Sequence, residues 1–170
     1  MAIKVTFDGM AEYISCLEKL SHSTGRVCSR AVYAGAGVVA DAIRQAIHGI
    51  PEISDTQAII GYVTGRPLQG ITTRQKEGLL YGLGISQKEE DGSGKVNVKI
   101  GFNGYNSVKT RRYPKGQPNA MVARGVESGS SAKLKSPFVR PAVNRVRSKA
   151  EAAMAEAADQ EIQKILNESE

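Results

Sequence analysis

The sequence predicts an α+β fold: a small antiparallel β-sheet with two N-terminal helices and a long C-terminal helix. Three observations carry that expectation. Apolar residues recur at helical spacing before residue 48 and again over 142–166. Strict apolar–polar alternation marks 95–103. An acidic Gly-Ser turn stands just before that alternation, which is the signature of a hairpin. At 170 residues, with 41% hydrophobic and 24% charged side chains, the chain can bury one core and reads as a single domain.

A strand is expected first over residues 3–7, where Ile3, Val5 and Phe7 alternate with polar neighbours. Asp8 then offers an N-cap, and Met10, Ile14, Leu17 and Leu20 repeat at helical spacing to about residue 22. A second helix is expected from Ser23 or Thr24 to about His48. Its inner face comprises Val27, Ala31, Ala34, Val38, Ala42 and Ile43, with Gly35 and Gly37 permitting a close neighbour. Gly49 and Pro51 end it.

Residues 50–72 read as an irregular insertion, punctuated by Pro51, Gly61, Gly65, Pro67 and Gly70. Thr72 or Thr73 caps a short helix over 74–81 with Leu79 and Leu80 inward. An extended segment over 83–88, the acidic turn 89–94 and the strand 95–103 complete the hairpin. Val96, Val98, Ile100 and Phe102 share one face of that strand. Two flexible basic loops, 104–119 and 128–136, flank a short apolar stretch over 120–126. Pro141 suits the first turn of the final helix, because its missing N–H has no partner there. That helix is expected over 142–166.

The chain offers little for chemistry. Gly92-Ser93-Gly94-Lys95 echoes the end of a phosphate-binding loop, but Glu89 and Val96 occupy positions that need Gly and Ser or Thr, and a strand follows. Gly82-Leu83-Gly84 lacks the third glycine of a dinucleotide fold, and no Gly-x-Ser-x-Gly elbow surrounds Ser93, Ser128 or Ser130. Cys16 and Cys28 are too few for a disulfide framework or a zinc site, and His22 and His48 lack ligand-spaced companions. No cofactor, metal or catalytic residue is expected, and the chain is read as a non-enzyme. With no membrane-length apolar run and no signal-like start, it is read as soluble, non-exported and without a membrane partner.

Charge is the stronger signal. The chain carries 23 Lys and Arg against 17 Asp and Glu, a net +6. Residues 105–149 hold eleven basic residues and one acid, Glu127, for +10, so the rest of the chain carries −4. A block this basic attracts an acidic surface or nucleic acid. Lys109, Arg111, Arg112, Lys115, Arg124, Lys133 and Lys135 are its candidate partner-contact residues. Acids of the last helix, including Glu151, Glu156, Asp159 and Glu161, suit head-to-tail contact between copies. Glu127, alone among bases, reads as a salt bridge or as a cap for loop amides. A nucleic-acid-binding module is the alternative reading of the basic block.

The stretch Met121-Val122-Ala123-Arg124-Gly125-Val126-Glu127-Ser128-Gly129-Ser130-Ser131, followed by a basic loop and Pro137-Phe138-Val139-Arg140-Pro141-Ala142, resembles one family. It is similar to the tail-completion, or head–tail joining, proteins of long-tailed phages, neck proteins also called minor tail components. Here Gly-Ser-Ser replaces the commoner Gly-Thr, and 50–72 is longer than usual. The resemblance is specific over about 121–142. It implies a structural virion protein at the neck, made in the host cytoplasm, in a homo-oligomeric ring of about six copies. Its implied partners are a head-side connector and tail-tube or tail-terminator proteins, with DNA in the lumen a further one. Within the motif, Glu127 and Arg140 would brace the loop that contains Gly129 and Pro137. Phe138 would anchor the last helix and Pro141 fix its direction.

Overall fold

The computed structural model describes residues 10–90 and 95–168, and the strand expected over 3–7 lies outside the described residues. The architecture is α+β. Two long helices pack antiparallel and open at one end into a body of three short helices and three two-stranded ladders.

The first helix, α1, runs unbroken over Met10–His48. The break expected near residue 23 is absent, so the two N-terminal helices are one. The reason lies in Thr24 and Ser29, whose residue types also serve as caps. Thr24 Oγ1 donates to the carbonyls of Leu20 and Ser21, and Ser29 Oγ donates to that of Gly25, so both hydroxyls bond back along the helix. At its far end the Lys76 ammonium donates to the carbonyls of His48 (2.8 Å) and Ile50 (3.0 Å). A cation is favoured there, where the helix dipole is negative.

Residues 50–72 are ordered into β1 (Glu52–Ile53), α2 (Asp55–Thr64) and β2 (Ile71–Thr72), with β1 and β2 parallel. The irregular insertion is thus corrected. Ser54 and Gln57 form a reciprocal capping box at the start of α2, and Gly65 closes it at φ 65°. The helix α3 (Thr73–Gly82) begins with a second capping box, Thr72 with Gln75, and buries Leu79 as expected.

The hairpin forms in the expected place. Strand β3 (Leu83–Ile85) pairs antiparallel with β6 (Ile100–Phe102), and β4 (Glu89–Glu90) with β5 (Val96–Asn97). The outgoing strand is interrupted at Val98 and Lys99, because the Lys99 amide donates to the Ser86 hydroxyl at 2.9 Å. Burial still alternates, with Val96, Val98, Ile100 and Phe102 half-buried.

The last two helices are α4 (Asn119–Ser128) and α5 (Val139–Asn167). The core gathers Ile47 from the end of α1, Ile50 just beyond it, Ile71, Leu79 from α3, Val122 and Val126 from α4, and Phe138. Phe138 lies 6.0 Å from the Phe102 ring, which seats α5 on the hairpin. Beyond the body, α1 and α5 meet through small residues. At Gly35 a Cβ would sit 2.5 Å from Met154 Cγ, whereas the space at Gly37 is open. Glu161, buried on α5, accepts Arg26 at 2.8 Å and lies 3.6 Å from Arg30.

Candidate assembly surface

The residues that carry the family resemblance meet at the first turn of α5. A helix start exposes about four unpartnered N–H groups. Phe138 at the N-cap has no side-chain oxygen to accept one. Glu127, from the last turn of α4, supplies the acceptors instead. Its Oε2 accepts the amides of Phe138 (2.8 Å) and Val139 (2.9 Å), and its Oε1 accepts that of Arg140 (3.2 Å). Pro141 has no N–H, and the Ala142 amide reaches the Phe138 carbonyl. Every donor at the helix start is thereby accounted for. The cap begins α5 three residues before the expected start at 142.

Burial acts to raise the Glu127 pKa. The amides of Val139, Phe138 and Arg140, with the Arg140 charge, outweigh it and hold the carboxyl below its ordinary value. The Arg140 guanidinium is 4.0 Å away and mostly solvated, so the backbone amides matter more than the ion pair. Gly129 leaves α4 at φ 81°, and a Cβ there would press on Lys135. Beyond it, the Ser136 amide returns to the Val126 carbonyl, while Pro137 stays exposed. The motif is one structural joint.

The basic residues separate into two kinds. Lys109, Arg111, Arg112 and Lys115 are exposed on one loop, over 104–119, expected to be flexible. That loop is laced at its base: the Asn106 amide bonds the Gln117 carbonyl, and the Gln117 amide the Val108 carbonyl. Buried Asn106 and Asn119 seat it against Gly78 of α3. Nearer the tip, Thr110 and Tyr113 exchange backbone bonds, and the Arg112 guanidinium lies 5.8 Å from the Tyr113 ring. Arg124 is exposed on α4 and Lys135 on the 128–136 loop.

Lys133 is different. Its ammonium turns inward and donates to the Gly70 carbonyl (3.0 Å) and to Gln75 Oε1 (3.3 Å), while Gln75 reaches Gln117 at 2.6 Å. Burial lowers its pKa. Expected as a partner contact, Lys133 instead ties the 128–136 loop to α3. Of the α5 acids, Glu161 is likewise used inside the chain, and Glu151 lies 3.8 Å from Arg147 on its own helix. Glu156 and Asp159 are exposed, with no ion pair among the described residues.

A groove of about 470 Å³ lies between the end of α1 and the start of α5, lined by Gln45, Ile50, Pro137, Phe138 and Arg145 among others. Arg145 is the one titratable side chain in it, so it pairs no acid with a base. Among the described residues no cluster of His, Cys, Asp or Glu is placed to hold a metal, and no helix is long and apolar enough to cross a membrane. No protein-family model, curated protein or solved structure matches this chain.

The fold also exposes an apolar face on α2, formed by Ile59, Ile60, Tyr62 and Val63, where no helix was expected. Ser54, Gln57 and Gly65 are the residues in the sequence that announce that helix.

Proposed function

We propose that this chain is a structural assembly protein of a tailed-phage particle, a ring subunit that joins head to tail at the neck. The observation that supports it best is the Glu127 joint. The residues on which the resemblance to the joining proteins rests, Glu127, Phe138, Arg140 and Pro141, do no chemistry together. They fix the direction in which a 29-residue helix leaves the body. A subunit whose distinctive residues set a shape is suited to building an assembly. The exposed cations at 109–115 give such a subunit a surface for an acidic neighbour, because a concentrated field steers and registers a charged partner.

The test is charge reversal, Arg111→Glu with Arg112→Glu, supplied to the particle that the chain would complete. Folding is checked by circular dichroism. Heads accumulating apart from finished tails is the expected result. Wild-type yields of joined particles with folded, reversed protein would remove this loop as an assembly surface. The same four cations also favour the nucleic-acid reading, which the isolated protein decides. Tight DNA binding whose affinity falls steeply with salt would replace the assembly reading with it.

A further inference from the structure

The dipeptide Asn103-Gly104 joins β6 to the cationic loop, and it is the one Asn-Gly in the chain. Its main chain is held on both sides. The Asn103 amide donates to the Gly82 carbonyl at 2.8 Å. Opposite, Asn119 takes both carbonyls: its Nδ2 donates to that of Asn103 at 2.8 Å, and its amide to that of Gly104 at 3.0 Å. What is left over is a reactive pair. Both residues are exposed, and among the described residues neither the Asn103 side chain nor the Gly104 amide has a hydrogen bond. Gly104 lies at φ 71°, and the nearest atom to a Cβ there would be Asn119 Nδ2 at 3.9 Å, so no other element crowds its nitrogen.

The amide nitrogen that follows an asparagine can close a five-membered ring on its side chain. Other exposed asparagines are poorly placed for it. Asn97 precedes Val98, whose branched side chain stands beside the attacking nitrogen. Asn144 lies inside α5, where the next amide is spent on the helix ladder. We infer that Asn103-Gly104 is a self-modification site, where Asn103 deamidates through a succinimide to isoaspartate and loosens the cationic loop. The Gly104 nitrogen bonds to Asn103 Cγ, the bond from Cγ to Nδ2 breaks, and that nitrogen leaves as ammonia with the Gly104 proton. Water then opens the ring. Attack at Cγ gives aspartate. Attack at the former main-chain carbonyl carbon gives isoaspartate, whose chain runs through Cγ and is one methylene longer. Water is the only co-reactant.

The added methylene falls between the Gly82 anchor and the Asn119 anchor, so the three main-chain bonds cannot all keep their register. Asn119 bears the consequence. It is 1% exposed and its Oδ1 already lacks a partner, so losing the Asn103 carbonyl strands its whole side-chain amide in the interior. Asn119 also opens α4 and, with Asn106, seats the loop against Gly78. The seat that carries Lys109, Arg111, Arg112 and Lys115 is therefore the part that loosens. Aspartate at 103 leaves the main chain its ordinary length and the seat in place. The reaction lies within one chain and does not rest on the neck reading.

The test ages the full chain in warm, mildly alkaline buffer and maps it by mass spectrometry, with fragmentation that separates isoaspartate from aspartate. The amide-to-acid mass gain should build up at Asn103 at least about tenfold faster than at Asn97 or Asn144, a barrier lower by about 1.4 kcal/mol. Isoaspartate should be the main product. Asn103→Gln keeps an amide but needs a larger ring, and should stay unmodified at that position. Gain at Asn103 no faster than at Asn97 and Asn144 overturns the site. Trypsin then reads the loop, because cleavage tracks the population of the open form. The separated isoaspartate fraction should be cut after Arg111 and Arg112 at least about threefold faster than fresh protein, with fresh Asn103→Asp matching the latter. Equal cutting of aged and fresh chains, or Asn103→Asp cut as fast as the aged chain, overturns the loosening. Neither result bears on the neck reading, which the charge reversal at Arg111 and Arg112 decides.

Discussion

The body and the two-helix stalk are held by different physics. The body buries its large side chains almost completely: Ile47, Ile71, Leu79 and Val122 are its fully enclosed aliphatics. The stalk buries Ala36, Ala40 and Ala150, and depends on close approach at Gly35 and on Glu161 between two arginines. Apolar burial scales with area, so energy in the body is concentrated in a few residues. In the stalk it is spread thinly along two helices. A single substitution should be severe in the first region and mild, or even favourable, in the second.

The hardest blow to the body is Phe138→Ala. It removes the ring that seats α5 on Phe102 and leaves a cavity where the hairpin meets the helix. The expected cost is about 3–5 kcal/mol, read from the urea midpoint. A melt within a degree of wild type would show that α5 is held by the stalk instead.

Glu127→Ala comes next. Three amides at the start of α5 lose their acceptor, for an expected cost of about 2–3 kcal/mol by equilibrium unfolding. Its pH dependence gives a sharper check. Because the folded pKa is depressed, the carboxylate contributes fully above its unfolded value of about 4.3. The contribution is lost as pH falls through the lower folded value. The stability gap between wild type and Glu127→Gln should therefore be constant near neutrality and shrink only in acid. A gap unchanged down through the acid limb would mean that the charge of Glu127 is irrelevant to the cap.

The stalk should give the smallest numbers, with either sign. Gly35→Leu drives a side chain into Met154 and toward the Ala150 carbonyl, for a cost of about 1–3 kcal/mol. Gly37→Ala meets nothing within 4 Å and should stabilise by about 0.5–1 kcal/mol, through helix propensity. Thermal melts of the pair test the contrast directly. If both variants destabilise equally, the helices are closer at Gly37 than they stand here.

The same division explains what the sequence made legible. Local chemistry was readable: the Thr72 cap, the hairpin about the acidic turn, Pro141 in a first turn, and Glu127 as a cap for loop amides. Each depends on neighbours in the chain or on a donor count. What escaped depends on partners distant in sequence. Thr24 is an equally good cap or helix-interior back-bonder, and the long opposing α5 lets α1 run on through it. Lys133 reads as one more surface cation until Gly70 and Gln75 close around it. The α2 helix was hidden because Pro51, Gly61, Gly65, Pro67 and Gly70 punctuate its stretch and make it read as a loop, although Ser54 and Gln57 marked its start.

The grip of Glu127 on α5 also makes the joint a fulcrum. The carboxylate belongs to α4, yet the amides it holds begin a helix of 29 residues, about 44 Å long. A tilt of about 5° between α4 and α5 would move the distal end of α5 by about 4 Å, taking α1 with it through Arg26 and Glu161. A side-chain-sized adjustment where the cationic loop meets α4 would thus be amplified at the opposite end of the molecule.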